Sequence, residues 1–278
     1  MTSVNSYNTL SMNTPRVAIA LMMRRPIDVG YWLNYHRALG ITRFYIRVED
    51  TPDLELYLAT QSDVILEKGI SDKQGNNYET ALERQRVFVN QSIRHAEASG
   101  IEWIFNIDSD ELLHSDTSSL HPLAFLKQLP SSIKTLKLQN AEAIYDGQEA
   151  HGFDAKTFKK CSEPGAKCRA YANGKAGGRA EKGVVASGCH NFHVKTKACI
   201  DRTTLYHVPF SQLHVLHFES PSFGVWAEKF LHLGKNSAAD IPFAYYHESM
   251  EAVEKAYAVY QKHVSLRPEN TNAIYQWA

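Results

Sequence analysis

Residues 101–114, IEWIFNIDSDELLH, decide how the rest of the chain is read. Apolar Ile101, Trp103, Phe105 and Ile107 alternate with residues that are also mostly uncharged, and the run ends abruptly at Asp108-Ser109-Asp110-Glu111. The pattern predicts a strand covered on both faces, with carboxylates at its C-terminal end. Open α/β sheets hold their ligands beyond that edge. While a chain stays extended, side chains at i and i+2 point the same way, so Asp108 and Asp110 are expected to share one hard cation. Mg²⁺ and Mn²⁺ take oxygen ligands and keep positions open for phosphate oxygens, which makes the edge a candidate seat for a metal-bound diphosphate. A solvated turn after a core strand is the other reading of an isolated Asp-x-Asp.

The 278 residues, 44% of them hydrophobic, suffice for a large core in one domain. Lys+Arg and Asp+Glu balance at 30 each, which argues against a nucleic-acid partner and against a polybasic membrane patch. Residues 1–15 lack the apolar core of a signal peptide and read as a disordered tail. No later segment has the apolar length of a membrane span, so the expectation is a soluble cytoplasmic protein. Its oligomeric state has no signature in the sequence. The four cysteines lie between Cys161 and Cys199, too few and too local for a disulfide scaffold.

On the N-terminal side, the apolar run from Arg16 to Met23 predicts a buried parallel strand, and Val29, Trp32, Leu33, His36 and Leu39 recur at helical spacing before Gly40. Arg43–Asp50, Leu54–Ala59 and Asp63–Leu66 repeat the rhythm as strand, helix, strand. These βαβ repeats predict a mostly parallel sheet flanked by helices. A long helix over roughly Tyr78–Ser99 places Gln85 and Arg86 on its packing face, where Gln85 either bonds core backbone or reaches the carboxylate edge. On the C-terminal side the expectations are a helix over Ser118–Leu129, a strand at Ile133–Gln139, and a strand at Gln212–Phe218. Two more helices are expected near Ser222–Leu233 and Glu248–Val264. Between Asn140 and Ala198 periodicity dissolves into a segment rich in Gly, Lys and Arg, a length of irregular chain that is usually functional. Within it Cys189, His190, His193 and Cys199 suggest zinc, though not with the spacing of a finger.

In chain order, MMRRPIDVGYWLNYHRALGITRFYI, ERQRVFVNQSI, WIFNIDSDELL, GKAGGR with GCHNFH, and LHFESPSFGVWAEKF together resemble GT-A glycosyltransferases of the family 2 and family 92 type, the kind once called DUF23. Pro26-Ile27-Asp28 and Glu49-Asp50 depart from the asparagine-containing segments usual there. The resemblance implies a single α/β domain of GT-A type over residues 16–278. Residues 16–140 would bind a nucleotide-diphosphate sugar, and 141–278 the carbohydrate acceptor, with C-terminal helices. It implies a Mn²⁺ or Mg²⁺ ion on Asp110, with Asp108 shared between metal and ribose and His217 completing the site. Asp50 would face base or ribose, Gln85 the donor site, and Lys175, Arg179 and Lys229 the diphosphate, the first two from a glycine-rich loop. His190 would be a polar group of the active site. Inverting transfer requires a base on the acceptor hydroxyl, for which Glu181 is the first candidate and Asp146, Glu149 and Asp154 are substitutes. A DxD-type Mg²⁺-dependent phosphohydrolase and a non-catalytic carbohydrate-binding protein are the alternatives.

Overall fold

The apolar run after Arg16 forms strand β1 (Val17–Met23), buried along nearly all its length. The computed structural model describes residues 14–69, 78–145, 152–161, 168, 170–195, 204–222, 224–226 and 229. Helix α1 (Val29–Leu39) follows. Asp28 caps it by accepting a hydrogen bond from the Tyr31 N–H at 2.9 Å, and Gly40 ends it at φ 108°, a left-handed conformation that side chains resist. Strand β2 (Ile41–Glu49), helix α2 (Pro52–Ala59) and strand β3 (Val64–Gly69) repeat the unit, and helix α3 (Tyr78–Ala98) returns the chain to β4 (Trp103–Asn106). These four strands pair in parallel in the order β4-β1-β2-β3.

Alternation along β1 explains the continuous apolar run. Val17, Ile19 and Leu21 pack with Trp32, Leu33, Phe105 and Leu136 on one side of the sheet, while Ala18 and Ala20 pack with Phe88, Val89 and Ile93 of α3 on the other. Both faces are covered, so neither can carry polar residues.

The rest of the chain supplies β5 (Glu111–His114), β6 (Thr135–Leu138), β7 (Asn140–Ile144), β8 (Thr157–Lys160), β9 (Lys175–Arg179), β10 (Val184–Ala186), β11 (Phe192–Val194), β12 (Leu205–His207) and β13 (His214–His217). The main sheet runs β12-β6-β9-β4-β1-β2-β3, parallel except for β9, which lies antiparallel between β4 and β6. A second sheet has the order β5-β13-β7-β8, and β10 pairs with β11. The architecture is the expected mixed α/β one, with a mostly parallel central sheet flanked by helices.

Several local expectations change. Residues 118–129 contain a single 3₁₀ turn, Ala124–Lys127, because Pro122 and Pro130 flank it too closely for a longer helix. The described part of the segment after Asn140 is built largely of strands, and KAGGR is the interior strand β9 rather than a loop. A Cβ on Gly177 would stand 2.5 Å from Phe105 Cδ1, and one on Gly178 would stand 2.8 Å from Val184 Cγ1. Glycine is required there by close packing, and the strand consequently shows no side-chain pattern. Cys161 and Cys168 form a disulfide, a local clip across a separation of seven residues. Of the expected C-terminal helices, residues 224–226 are helical, and the helix near 248–264 lies outside the described residues, as do residues 1–13 of the expected tail. No helix among the described residues is long and apolar enough to cross a membrane.

Candidate active site

Strand β4 ends at Asn106, whose side-chain amide donates to Ala20 O at 2.8 Å and ties the strand to β1. The chain does not stay extended beyond it. The Glu111 N–H donates to Asp108 O at 3.2 Å, and the Asp108 N–H donates to Glu111 Oε2 at 2.7 Å, closing a turn over residues 108–111. The turn removes the extended geometry on which the shared-cation expectation for Asp108 and Asp110 rested. The i and i+2 rule holds only for extended chain, and here the two carboxylates part company.

Asp108 faces α3 and β9. Its Oδ1 accepts from Gln85 Nε2 at 2.9 Å, and its Oδ2 accepts from Lys175 Nζ, which also lies 3.2 Å from Glu111 Oε2. Lys175 and Glu111 are both fully buried. Burial opposes the charge on Lys175, but Asp108 and Glu111 overcome it and raise its pKa above the ordinary lysine value, so it stays an ammonium. Burial pushes Glu111 up, against the pull of Lys175, and the Tyr171 hydroxyl donates to its Oε1. Burial and then Glu111 hold that phenol far above its usual pKa, so it remains a donor.

Asp110 faces β13. Its backbone carbonyl accepts from Phe218 N at 2.9 Å, and its Oδ2 lies 3.7 Å from His217 Nε2. Glu219 Oε2 lies 3.6 Å from the same nitrogen, and Lys229 Nζ holds Glu219 through both oxygens at 2.7 and 2.8 Å. Burial opposes charge on His217, yet Asp110, Glu219 and Glu111 raise its pKa to about 9. Burial likewise opposes charge on Asp110, which His217, Lys229 and Lys175 hold below the carboxylate range.

A divalent cation fits this second group. The separations of 3.6 and 3.7 Å exceed a hydrogen bond, yet they are under twice a metal–ligand length of about 2.1 Å. The buried His217 Nδ1 has no hydrogen-bond partner among the described residues, and the ring packs against Tyr171. With His217 neutral, as a metal ligand must be, four carboxylates (Asp108, Asp110, Glu111, Glu219) stand against two ammonium groups (Lys175, Lys229) among the described residues, so a dication that displaces the His217 proton would offset the remaining two negative charges. Asp110, His217 and Glu219 are thus the residues here that could hold such an ion, with Glu219 where Asp108 was expected. Glu219 had a signal in the sequence, since it follows the strand-ending His217 by two residues.

The remaining expected residues divide. His190 adjoins the site: its Nδ1–H donates to Gly174 O at 2.7 Å, and its ring lies 5.0 Å from Tyr171, which in turn lies 4.9 Å from His217. Burial, reinforced by Lys175, lowers its pKa to about 4. Asp50 ends β2 at the same sheet edge, at φ 50°, with Arg24 3.2 Å away. Arg179 and Glu181 lie at the opposite edge, because β9 pairs Ala176 with Asn106 but Arg179 with Trp103. Five strand residues span about 13 Å, so a chain that places Lys175 beside Asp108 must carry Arg179 away from it. Arg179 instead sits over the Trp103 ring at 4.5 Å and donates to Ile133 O at 2.8 Å, and Glu181 pairs with Lys134 at 2.6 Å. Asp154 is exposed, while Asp146, Glu149 and Cys199 lie outside the described residues. Cys189, His190 and His193 do not gather into a ligand cluster among the described residues, and Cys189 is a half-buried free thiol whose pKa burial pushes up to about 11.

Residues 29–251 match the model of glycosyltransferase family 92. Two Arabidopsis thaliana proteins named as glycosyltransferase-like are similar, one 23% identical over 75% of this chain and 48% of its own length, the other 25% identical over 71% and 54%. The chain thus spans about half the length of these curated relatives. A CMP:2-keto-3-deoxy-manno-octonic acid synthetase structure aligns with 11% identity over 59% of this chain and 74% of that one, at a TM-score of 0.30, too low to argue from. Since the family match takes in α3, the 108–111 turn, β9 and β13 together, the chain belongs to glycosyltransferase family 92.

Proposed function

We propose that the protein transfers a sugar from a nucleotide-diphosphate donor to a hydroxyl of a glycan or other acceptor, using Mn²⁺ or Mg²⁺. The observation that carries this reading is the group of Asp110, His217 and Glu219 at the sheet edge, whose three ligand atoms lie within 4.8 Å of one another. When bound there, the ion offsets charge on the departing diphosphate, an effect worth several kcal/mol in metal-assisted phosphate chemistry, roughly.

The chain's own residues prepare that edge. Lys229 fixes Glu219 through both carboxylate oxygens, leaving it directed at His217. Gln85 and Lys175 fix Asp108, which is offered to the donor's ribose, and Asp50 stands at the neighbouring strand end for base or ribose. Lys175 is too deeply buried to touch a diphosphate, and its role in the site is to hold Asp108. Inversion requires a base on the acceptor hydroxyl. With Glu181 at the far edge, His190 takes that place in the proposal. Its Nδ1–H is engaged by Gly174 O, so neutral His190 carries its lone pair on Nε2.

A phosphohydrolase would use Asp108 as its nucleophile, a role that competes with the donors Gln85 and Lys175 on its two oxygens. Titrating UDP- and GDP-sugars with and without Mn²⁺, alongside phosphate-ester hydrolysis, tests the reading. Metal-dependent donor binding with sugar transfer is expected. Ester hydrolysis without transfer would favour the phosphohydrolase, and metal-independent sugar binding a non-catalytic role.

A further inference from the structure

Glu111 is fully buried between Leu112 and the turn, in a strand whose next two residues are core leucines. A carboxylate in such a place costs several kcal/mol unless it is well paired, and an apolar residue would serve packing alone at least as well. Its polar atoms are nevertheless all used. Oε1 accepts from the Tyr171 hydroxyl, and Oε2 accepts from Asp108 N–H at 2.7 Å with Lys175 Nζ at 3.2 Å. The backbone carbonyl accepts from Trp32 Nε1 at 2.7 Å, which pins the residue to α1. The side chain thus bonds one way to the Asp108 cluster and the other way to Tyr171, whose ring rests against His217.

Resting on the metal reading above, we propose that Glu111 is a positioning residue: it holds the 108–111 turn so that Asp108 and Asp110 face different partners, and it steadies Tyr171 against the His217 ring. Glu111 is not itself a ligand. Its carboxylate acts by fixing where Asp110 and His217 stand, and Lys175, drawn to both Asp108 and Glu111, holds the turn closed from β9.

The test is Glu111→Gln, which keeps shape but turns an NH₂ group toward one of the two donor sets. Free Mn²⁺ is titrated by EPR into the whole protein, without nucleotide. A rise of about tenfold in the Mn²⁺ dissociation constant is expected, in the range found for residues that orient metal ligands. Leu58→Ala, a core change on the buried face of α2, supplies a destabilised control whose Mn²⁺ affinity stays at the parent value. Amide hydrogen exchange over residues 108–114, measured without metal, should speed up in Glu111→Gln relative to β1, whereas in Leu58→Ala the two segments should speed up together. Unchanged Mn²⁺ affinity in Glu111→Gln, with a parent that binds Mn²⁺, overturns the positioning role, and so does an equal loss in Leu58→Ala. A parent that binds no Mn²⁺ overturns the metal reading instead. In that case, exchange as slow in Glu111→Gln as in the parent overturns the hold on the turn as well.

Discussion

Asp108 and Asp110 are two residues apart yet stand in different chemistry. Around Asp108 every oxygen has a proton donor, from Gln85 on α3 and Lys175 on β9. Around Asp110 the nearest polar atom of His217 is too far for a hydrogen bond, and Glu219 stands off from the same nitrogen at a similar distance. One setting is closed by hydrogen bonds, and the other has the spacing that the proposed cation requires. The same motif therefore yields a carboxylate held as part of the framework and a carboxylate held ready, with a four-residue turn separating the roles.

The comparison breaks most readily at Asp110. Asp110→Ala should weaken Mn²⁺ binding by about 100-fold or more, the upper end for changes around a metal, while leaving the melting temperature nearly unchanged. Asp108→Ala should do the reverse. It leaves the buried Lys175 with Glu111 as its remaining carboxylate, and the loss should be about 2 kcal/mol, reduced from the usual buried-pair figure because Asp108 is partly exposed. Equal effects of the two substitutions on metal affinity would erase the distinction.

The turn's far side gives a pH prediction. His36 is buried in α1, where Nδ1–H donates to Trp32 O at 2.8 Å and Nε2 accepts from Leu113 N at 3.1 Å, so it anchors β5 as a neutral ring. Burial lowers its pKa from 6.5 to about 3. Below pH 6.5 the unfolded chain takes up a proton that the folded chain refuses, so stability is fully present above that pH and falls as pH drops toward 3. The loss attributable to His36 reaches roughly 4 kcal/mol at the acid end. Urea unfolding at several pH values should show a shallower decline in His36→Gln than in the parent. Gln85→Ala should have a smaller effect, about 1 kcal/mol, with donor affinity lowered several-fold, since one hydrogen bond to Asp108 is removed. Smallest of all, Glu181→Ala should leave turnover within about twofold of the parent, because a surface ion pair to Lys134 at the far edge is worth little. A large fall in turnover would return Glu181 to the site.

The first half of the fold is legible because burial on both faces writes itself as apolar runs: β1 and β4, and the α1 stripe ending in Gly40, stand where periodicity puts them. β9 is illegible for the converse reason. Phe105 and Val184 occupy the space over Gly177 and Gly178, so the strand has no side chains with which to show a period. Asp110 and His217 were visible as strand-end groups, and Gln85 as an inward amide. The turn that parts Asp108 from Asp110 was not visible, because it depends on Glu111 accepting a backbone N–H, a bond that spacing does not encode. Tyr171 had no local signal at all, lying in a segment without periodicity.

Pulsed EPR on the Mn²⁺-loaded protein tests the division between the two aspartates most directly, because a ligated imidazole imposes a ¹⁴N coupling on the metal signal. If Asp110, His217 and Glu219 hold the ion, the coupling is present in the parent, survives in Asp108→Asn, and disappears in His217→Gln. A parent without the coupling, or a His217→Gln protein that keeps it, would contradict the assignment.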